Sequence, residues 1–153
     1  MAFMDGKLIF GENIRVVVGR DVGHSIDLGS FSASGVRHSL LTGEPVWWVN
    51  LVTGTAVGES SMHFCMNHHL SDEISGSGAI ILARSPDFYA EQLVEGMYWI
   101  SVLPLTNVHG LRRYIGARVS VPGPGVFDGL HVTSYLTTAP PTLGGATIQD
   151  WRP

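Results

Sequence analysis

Residues 111–136 read LRRYIGARVSVPGPGVFDGLHVTSYL, and this stretch decides the fold class. Ile115, Ala117, Val119 and Val121 alternate with Tyr114, Arg118 and Ser120. Successive side chains of a strand point to opposite faces, so the stretch reads as a half-buried strand. Pro122-Gly123-Pro124-Gly125 then breaks the run. Proline presets the backbone angle of a turn, and glycine supplies the left-handed conformation that a tight reversal uses. The alternation resumes over 126–136, with Leu130, Val132 and Leu136 expected inward.

The same grammar extends upstream. Residues 14–18 (IRVVV), 24–28 (HSIDL), 46–53 (VWWVNLVT), 60–67 (SSMHFCMN), 79–83 (AIILA) and 97–103 (MYWISVL) each read as a strand. Nineteen glycines and eight prolines punctuate the chain, as many short strands require. In 60–67, Met62, Phe64 and Met66 face one way and His63, Cys65 and Asn67 the other. The run 79–83 is apolar throughout, which predicts a strand buried on both faces. Residues 29–44 are rich in glycine and serine and are expected to form a long loop. Ser85-Pro86-Asp87 has the form of a helix start, a serine cap followed by proline in the first turn. Phe88, Leu93 and Val94 could line one face and Gly96 could end the element, so a short helix is predicted over 86–94.

About eight strands and one short helix predict an all-β, jelly-roll-like β-sandwich with extended terminal arms. Residues 1–137 form the expected single domain, with an N-terminal arm at 1–13. Residues 138–153 form a C-terminal arm without periodicity. That arm carries Ile148 and Trp151, and leaving a large apolar side chain in water costs roughly 1.5–3 kcal/mol. Trp151 could clasp a neighbouring subunit or fold back on its own domain.

Composition narrows the function. The formal net charge is -4, and the basic residues are scattered apart from Arg112-Arg113 with Arg118 nearby. Nucleic-acid binding needs a positive track, so no direct nucleic-acid partner is expected. No segment approaches the ~18 apolar residues of a membrane span. The start of the chain lacks a secretory pattern, which leads us to expect synthesis in the cytoplasm. Charged residues make up 14%, against about 25% in an average soluble domain. Of the nine basic residues only Lys7 is a lysine. Protein interfaces are depleted in lysine and enriched in arginine. A surface covered by other proteins would have this composition, although drift could also produce it.

No catalytic constellation emerges, and no enzyme is expected. His63, Cys65, His68 and His69 lie close in sequence with Asp72 and Glu73 beyond. A structural zinc site wants four well-spaced ligands, and Cys65 is the only sulfur of that type. A cupin-like metal site would need a His-x-His pair that is missing here. Neither a nucleophile elbow nor a phosphate loop occurs. Asp87, Glu91 and Glu95 would share one helical face, and neighbours on one helix do not flank a sugar as glycosidase carboxylates do. No cofactor or metal is expected. Trp47 and Trp48 are adjacent, so alternation sends one to the core and the other outward. An outward Trp48 could anchor a protein interface or stack on a sugar.

Several landmarks in order resemble one family. They are Ser25-Ile26-Asp27-Leu28-Gly29, Glu44-Pro45-Val46-Trp47-Trp48-Val49, and Ala79-Ile80-Ile81-Leu82-Ala83-Arg84-Ser85. Leu103-Pro104, Arg113-Tyr114-Ile115-Gly116, the PGPG turn and the strand from Gly125 to Leu136 complete the set. Across about residues 20–140 the chain resembles the cementing, or capsid decoration, proteins of Bordetella-type tailed phages. The resemblance implies a jelly-roll subunit that pairs with itself on the outside of an HK97-type head. It implies the major capsid protein as partner and the virion surface as location. The side chains expected to anchor such an interface are Trp48, Arg112, Arg118 and Trp151. The rival expectation is a carbohydrate-binding, lectin-like module.

Overall fold

In the computed structural model of the chain, residues 8–17, 22–29, 34–42, 44–69, 80–103, 114–121 and 127–138 are described. Eleven strands run through them: β1 (Leu8–Arg15), β2 (Ile26–Asp27), β3 (Trp47–Gly54), β4 (Val57–Gly58), β5 (Ser61–His69), β6 (Ile80–Arg84), β7 (Phe88–Tyr89), β8 (Tyr98–Val102), β9 (Tyr114–Ser120), β10 (Phe127–Asp128) and β11 (His131–Thr137). β2, β4, β7 and β10 are two-residue bridges, which leaves seven longer strands. One helix, α1, spans Ser34–Thr42.

The architecture is the expected all-β sandwich. One sheet has the order β1-β11-β3-β8. The other has the order β2-β9-β5-β6, with β7 also paired to β5. All these pairings are antiparallel. The chain crosses from sheet to sheet repeatedly, so strands distant in sequence become neighbours. β1, for example, overlaps the expected N-terminal arm at residues 8–13, yet it pairs with β11 from Leu8↔Leu136 to Arg15↔His131.

The core is built by the alternation. Met62, Phe64 and Met66 from β5 and Ile115, Ala117 and Val119 from β9 are all at most 1% exposed. They meet Trp48, Val52, Trp99, Val132 and Leu136 from the first sheet. Aromatic rings link the two layers. Phe64 stacks on Trp99 with ring centroids 5.7 Å apart, and Trp99 meets Trp48 edge-on at 5.0 Å. Offset-stacked and edge-to-face pairs suit the ring quadrupoles and add to the burial gain.

Three expectations are corrected. The segment 86–94 is not an α-helix but strand β7 followed by a 3-10 turn at Ala90–Gln92. The Ser85 hydroxyl, expected as a cap, accepts the Phe64 N–H at 2.8 Å and so belongs to the edge of β5. Phe88 then pairs with Met62 and turns inward against Phe64. Core burial of one aromatic outweighs the weak local preference for a helix. The α-helix lies instead in the expected loop at 29–44, where Val36 and Ser39, one turn apart, are buried. Finally, β6 is not buried on both faces. Among the described strands it pairs only with β5, at the end of the sheet's main path, and Ile81 is 60% exposed.

Asn50 lies on β3, two residues from Trp48 and directly opposite Trp99 on β8. It is fully buried, and neither its amide nitrogen nor its oxygen has a hydrogen-bond partner among the described residues. An unpaired buried polar group costs about 1–3 kcal/mol. Asn50→Leu, similar in volume, is therefore expected to stabilise the fold by about that amount, read as a higher urea midpoint. A lower midpoint would show that the amide is hydrogen-bonded in solution.

Candidate functional site

The two sheets present outer faces of opposite character. On the first sheet, β3 turns Trp47, Val49 and Leu51 outward. β8 adds Tyr98, Ile100 and Val102, and β11 adds Thr133, Tyr135 and Thr137, all in register. Val49 and Ile100 at the centre are fully covered. Trp47, Leu51, Tyr98, Val102 and Tyr135 around them are half-buried. None of these side chains is charged. Burial pushes the Tyr135 phenol above its usual range, and nearby Tyr98 pushes the same way. This is an aromatic and aliphatic face whose polar side-chain groups are hydroxyls and the Trp47 indole N–H.

The tryptophan pair is resolved against expectation. Trp48 is the inward one, wholly buried, with its indole N–H donating to the Ser134 hydroxyl at 2.9 Å. It cannot anchor an interface while the domain is folded. Trp47 takes the outward position. Alternation alone does not say which parity faces the core. Judged by polarity, the wrong parity is favoured, because Asn50 shares the face of Trp48 while Val49 and Leu51 share that of Trp47.

On the second sheet, β5 turns His63, Cys65 and Asn67 outward, as the alternation predicts, and β9 adds Arg118. Arg118 is half-buried and sits directly beside Cys65. Trp48 and Arg118 therefore belong to different sheets and form no common site. Arg112 and Trp151 lie outside the described residues. So does the C-terminal arm beyond residue 138.

His63 and Cys65 show no activation. Burial, with Arg84 close by, lowers the His63 pKa, while Asp87 opposes the shift. Its Nδ1 lies 3.3 Å from an Asp87 oxygen, but the pair is not aligned for a hydrogen bond. Burial thus favours the neutral ring. Burial pushes the Cys65 thiol up, and the charges of Arg84 and Arg118 only partly offset this. A reactive cysteine needs the thiolate and access. Cys65 is 6% exposed, so a thiol reagent at pH 8 is expected to leave the native chain untouched and to label it once after unfolding. Rapid labelling of the native chain would contradict this placement. Among the described residues, no three His, Cys, Asp or Glu side chains gather as metal ligands. No described helix is long and apolar enough to cross a membrane.

No family model matches the chain, and no curated protein matches it significantly.

Proposed function

We propose that the chain is a viral structural protein, a decoration subunit that binds the outside of an HK97-type phage head and bridges neighbouring major capsid proteins. The supporting observation is the uncharged outer face formed by β3, β8 and β11, ringed by Trp47, Leu51, Tyr98, Val102 and Tyr135. Aromatic anchors in a desolvated patch carry most of the energy of a protein interface. The lysine-poor composition and the family resemblance point the same way. Trp47 replaces Trp48 as the central anchor, while Arg112, Arg118 and Trp151 stay as proposed contacts. The subunit pairs with itself, as most homo-oligomers do about a two-fold axis.

The mechanism is thermodynamic. A subunit that binds only the expanded shell stabilises that state by mass action. Opening the shell then requires exposing the interface, which for a standard contact is about 1,600 Å².

Co-sedimentation with expanded heads tests the reading. The native chain is expected to saturate the heads. Trp47→Ala is expected to weaken binding about 30-fold, the size of a 2 kcal/mol hot spot. Its thermal midpoint should be measured alongside, to separate lost contact from lost fold. A native chain that does not pellet with the heads overturns the proposal. Trp47, Tyr98 and Tyr135 on one face would also suit sugar stacking. Binding of the isolated protein on a glycan array would favour that second reading.

A further inference from the structure

The centre of the uncharged face is more closed than its own strands explain. Val49 and Ile100 point outward from β3 and β8, yet each is 0% exposed, and Thr137 on the same face is 5% exposed. Val49 has large neighbours on every side: Trp47, Leu51, Tyr135 and Ile100. Ile100 does not. Among the described strands β8 is the last of its sheet and pairs only with β3. A residue on such a strand has cross-strand neighbours on one side only, so the ring of side chains leaves its other flank open. Further chain must lie over it. The burial is complete within a single chain, so the cover belongs to the same subunit.

Connectivity narrows the choice. Residues 1–7 enter at β1, the opposite end of the sheet, three strand spacings or about 14 Å from β8. Residues 70–79 and 104–113 lead to β6 and β9 of the other sheet. The C-terminal stretch is different. β11 ends at Thr137, in register with Trp47, which is in turn in register with Val102 of β8. The chain thus leaves the sheet at the rim of this face, about 10 Å from β8. Thirteen residues take it from Thr138 to Trp151. Extended, they span up to about 43 Å, more than the ~27 Å length of the eight-residue strand β3. Pro140 and Pro141 lack the N–H groups that would continue a strand ladder or a helix. Residues 139–149 (APPTLGGATIQ) carry no charge, which matches the face, and Leu143, Ile148 and Trp151 supply apolar side chains to seat on it.

We propose that residues 139–153 fold back over the outer face of β3, β8 and β11, with Trp151 seated on Ile100 and Val49. In the free subunit this arm shuts the face read above as the capsid contact. Where that reading holds, a head binds only once the arm lifts, and lifting frees Trp151 for a neighbouring protein. The covering itself is measured on the isolated chain, so it stands or falls apart from head binding.

Methyl NMR on the full chain tests it. Nuclear Overhauser contacts are expected from the Trp151 indole to the Ile100 and Val49 methyls. Trp151→Ala should remove the ring-current shift at both methyls. It should leave the methyls of Val119 and Leu136, buried in the core, in place, which shows that the domain is still folded. Should the variant unfold, the contacts in the native chain still decide. In a mixture of labelled and unlabelled chain, these contacts should arise within one chain. Absent contacts, Ile100 and Val49 methyls unmoved in folded Trp151→Ala, or contacts found only between chains would each overturn the proposal. A chain that shows the contacts but does not pellet with heads keeps this inference and rejects the capsid reading.

Discussion

Trp48→Ala is expected to cost about 3–5 kcal/mol, the usual range for removing a buried aromatic from a core. The side chain is wholly buried and edge-on to Trp99 at 5.0 Å. Its indole N–H also satisfies the Ser134 hydroxyl, so truncation leaves a buried polar group short of a partner. A domain of this kind has about 5–15 kcal/mol of total stability, so the loss could take most of it. The measurement is the urea midpoint of Trp48→Ala beside that of Trp47→Ala. Trp47 is half-buried on the outer face and should cost clearly less. Equal losses for the two variants would mean that the inward and outward assignments of β3 are wrong, and the proposed interface would go with them.

Gly23→Ala is expected to be the other severe change. Gly23 has a φ of +80°, a region that non-glycine residues adopt rarely. A Cβ there would lie 2.0 Å from the Phe10 carbonyl oxygen and 2.9 Å from the Gly11 Cα, both backbone atoms that cannot swing aside. The same carbonyl accepts the His24 N–H at 3.0 Å, at the point where the chain approaches β2. Alanine must therefore move β1 away from this crossing or break the bond, at about 3 kcal/mol or more, as expected when strain and lost contacts combine. That corresponds to a fall of about 10 °C in the thermal midpoint for a chain of this length. Gly96→Ala separates the causes. Gly96 has a φ of +93° with open space around its Cβ position, so its variant should show only the conformational cost of about 1 kcal/mol. Matching losses at the two glycines would rule out the close approach as the source.

Much of the fold was legible from residue patterns. The period-two alternation in 60–67, 111–121 and 126–136 reports local backbone geometry, and its inward side chains, such as Phe64, Val119 and Leu136, are buried as expected. The segment 86–94 was misread because Ser85-Pro86 is a local helix signal. Pairing of Phe88 with β5, twenty-odd residues upstream, overrides it. Helix α1 was missed because, among its residues with described burial, the buried ones are Val36 and Ser39, and a serine is not read as a core residue. The candidate interface was half legible: the sequence places a tryptophan on each face of β3 but does not say which face meets the second sheet.

The amino-acid sequence by itself determined that this chain makes many short strands, with Met62, Phe64 and Met66 on one side and His63, Cys65 and Asn67 on the other. Such parity follows from the pleat, which every strand carries within itself. Only the tertiary structure decided that Trp47 faces out and Trp48 in, that Arg84 and Arg118 flank Cys65, and that β6 lies at an edge. Those outcomes depend on which strands pair and which faces meet. Pairing is settled by total burial across the sandwich, summed over residues far apart in the chain, and no local pattern contains that sum.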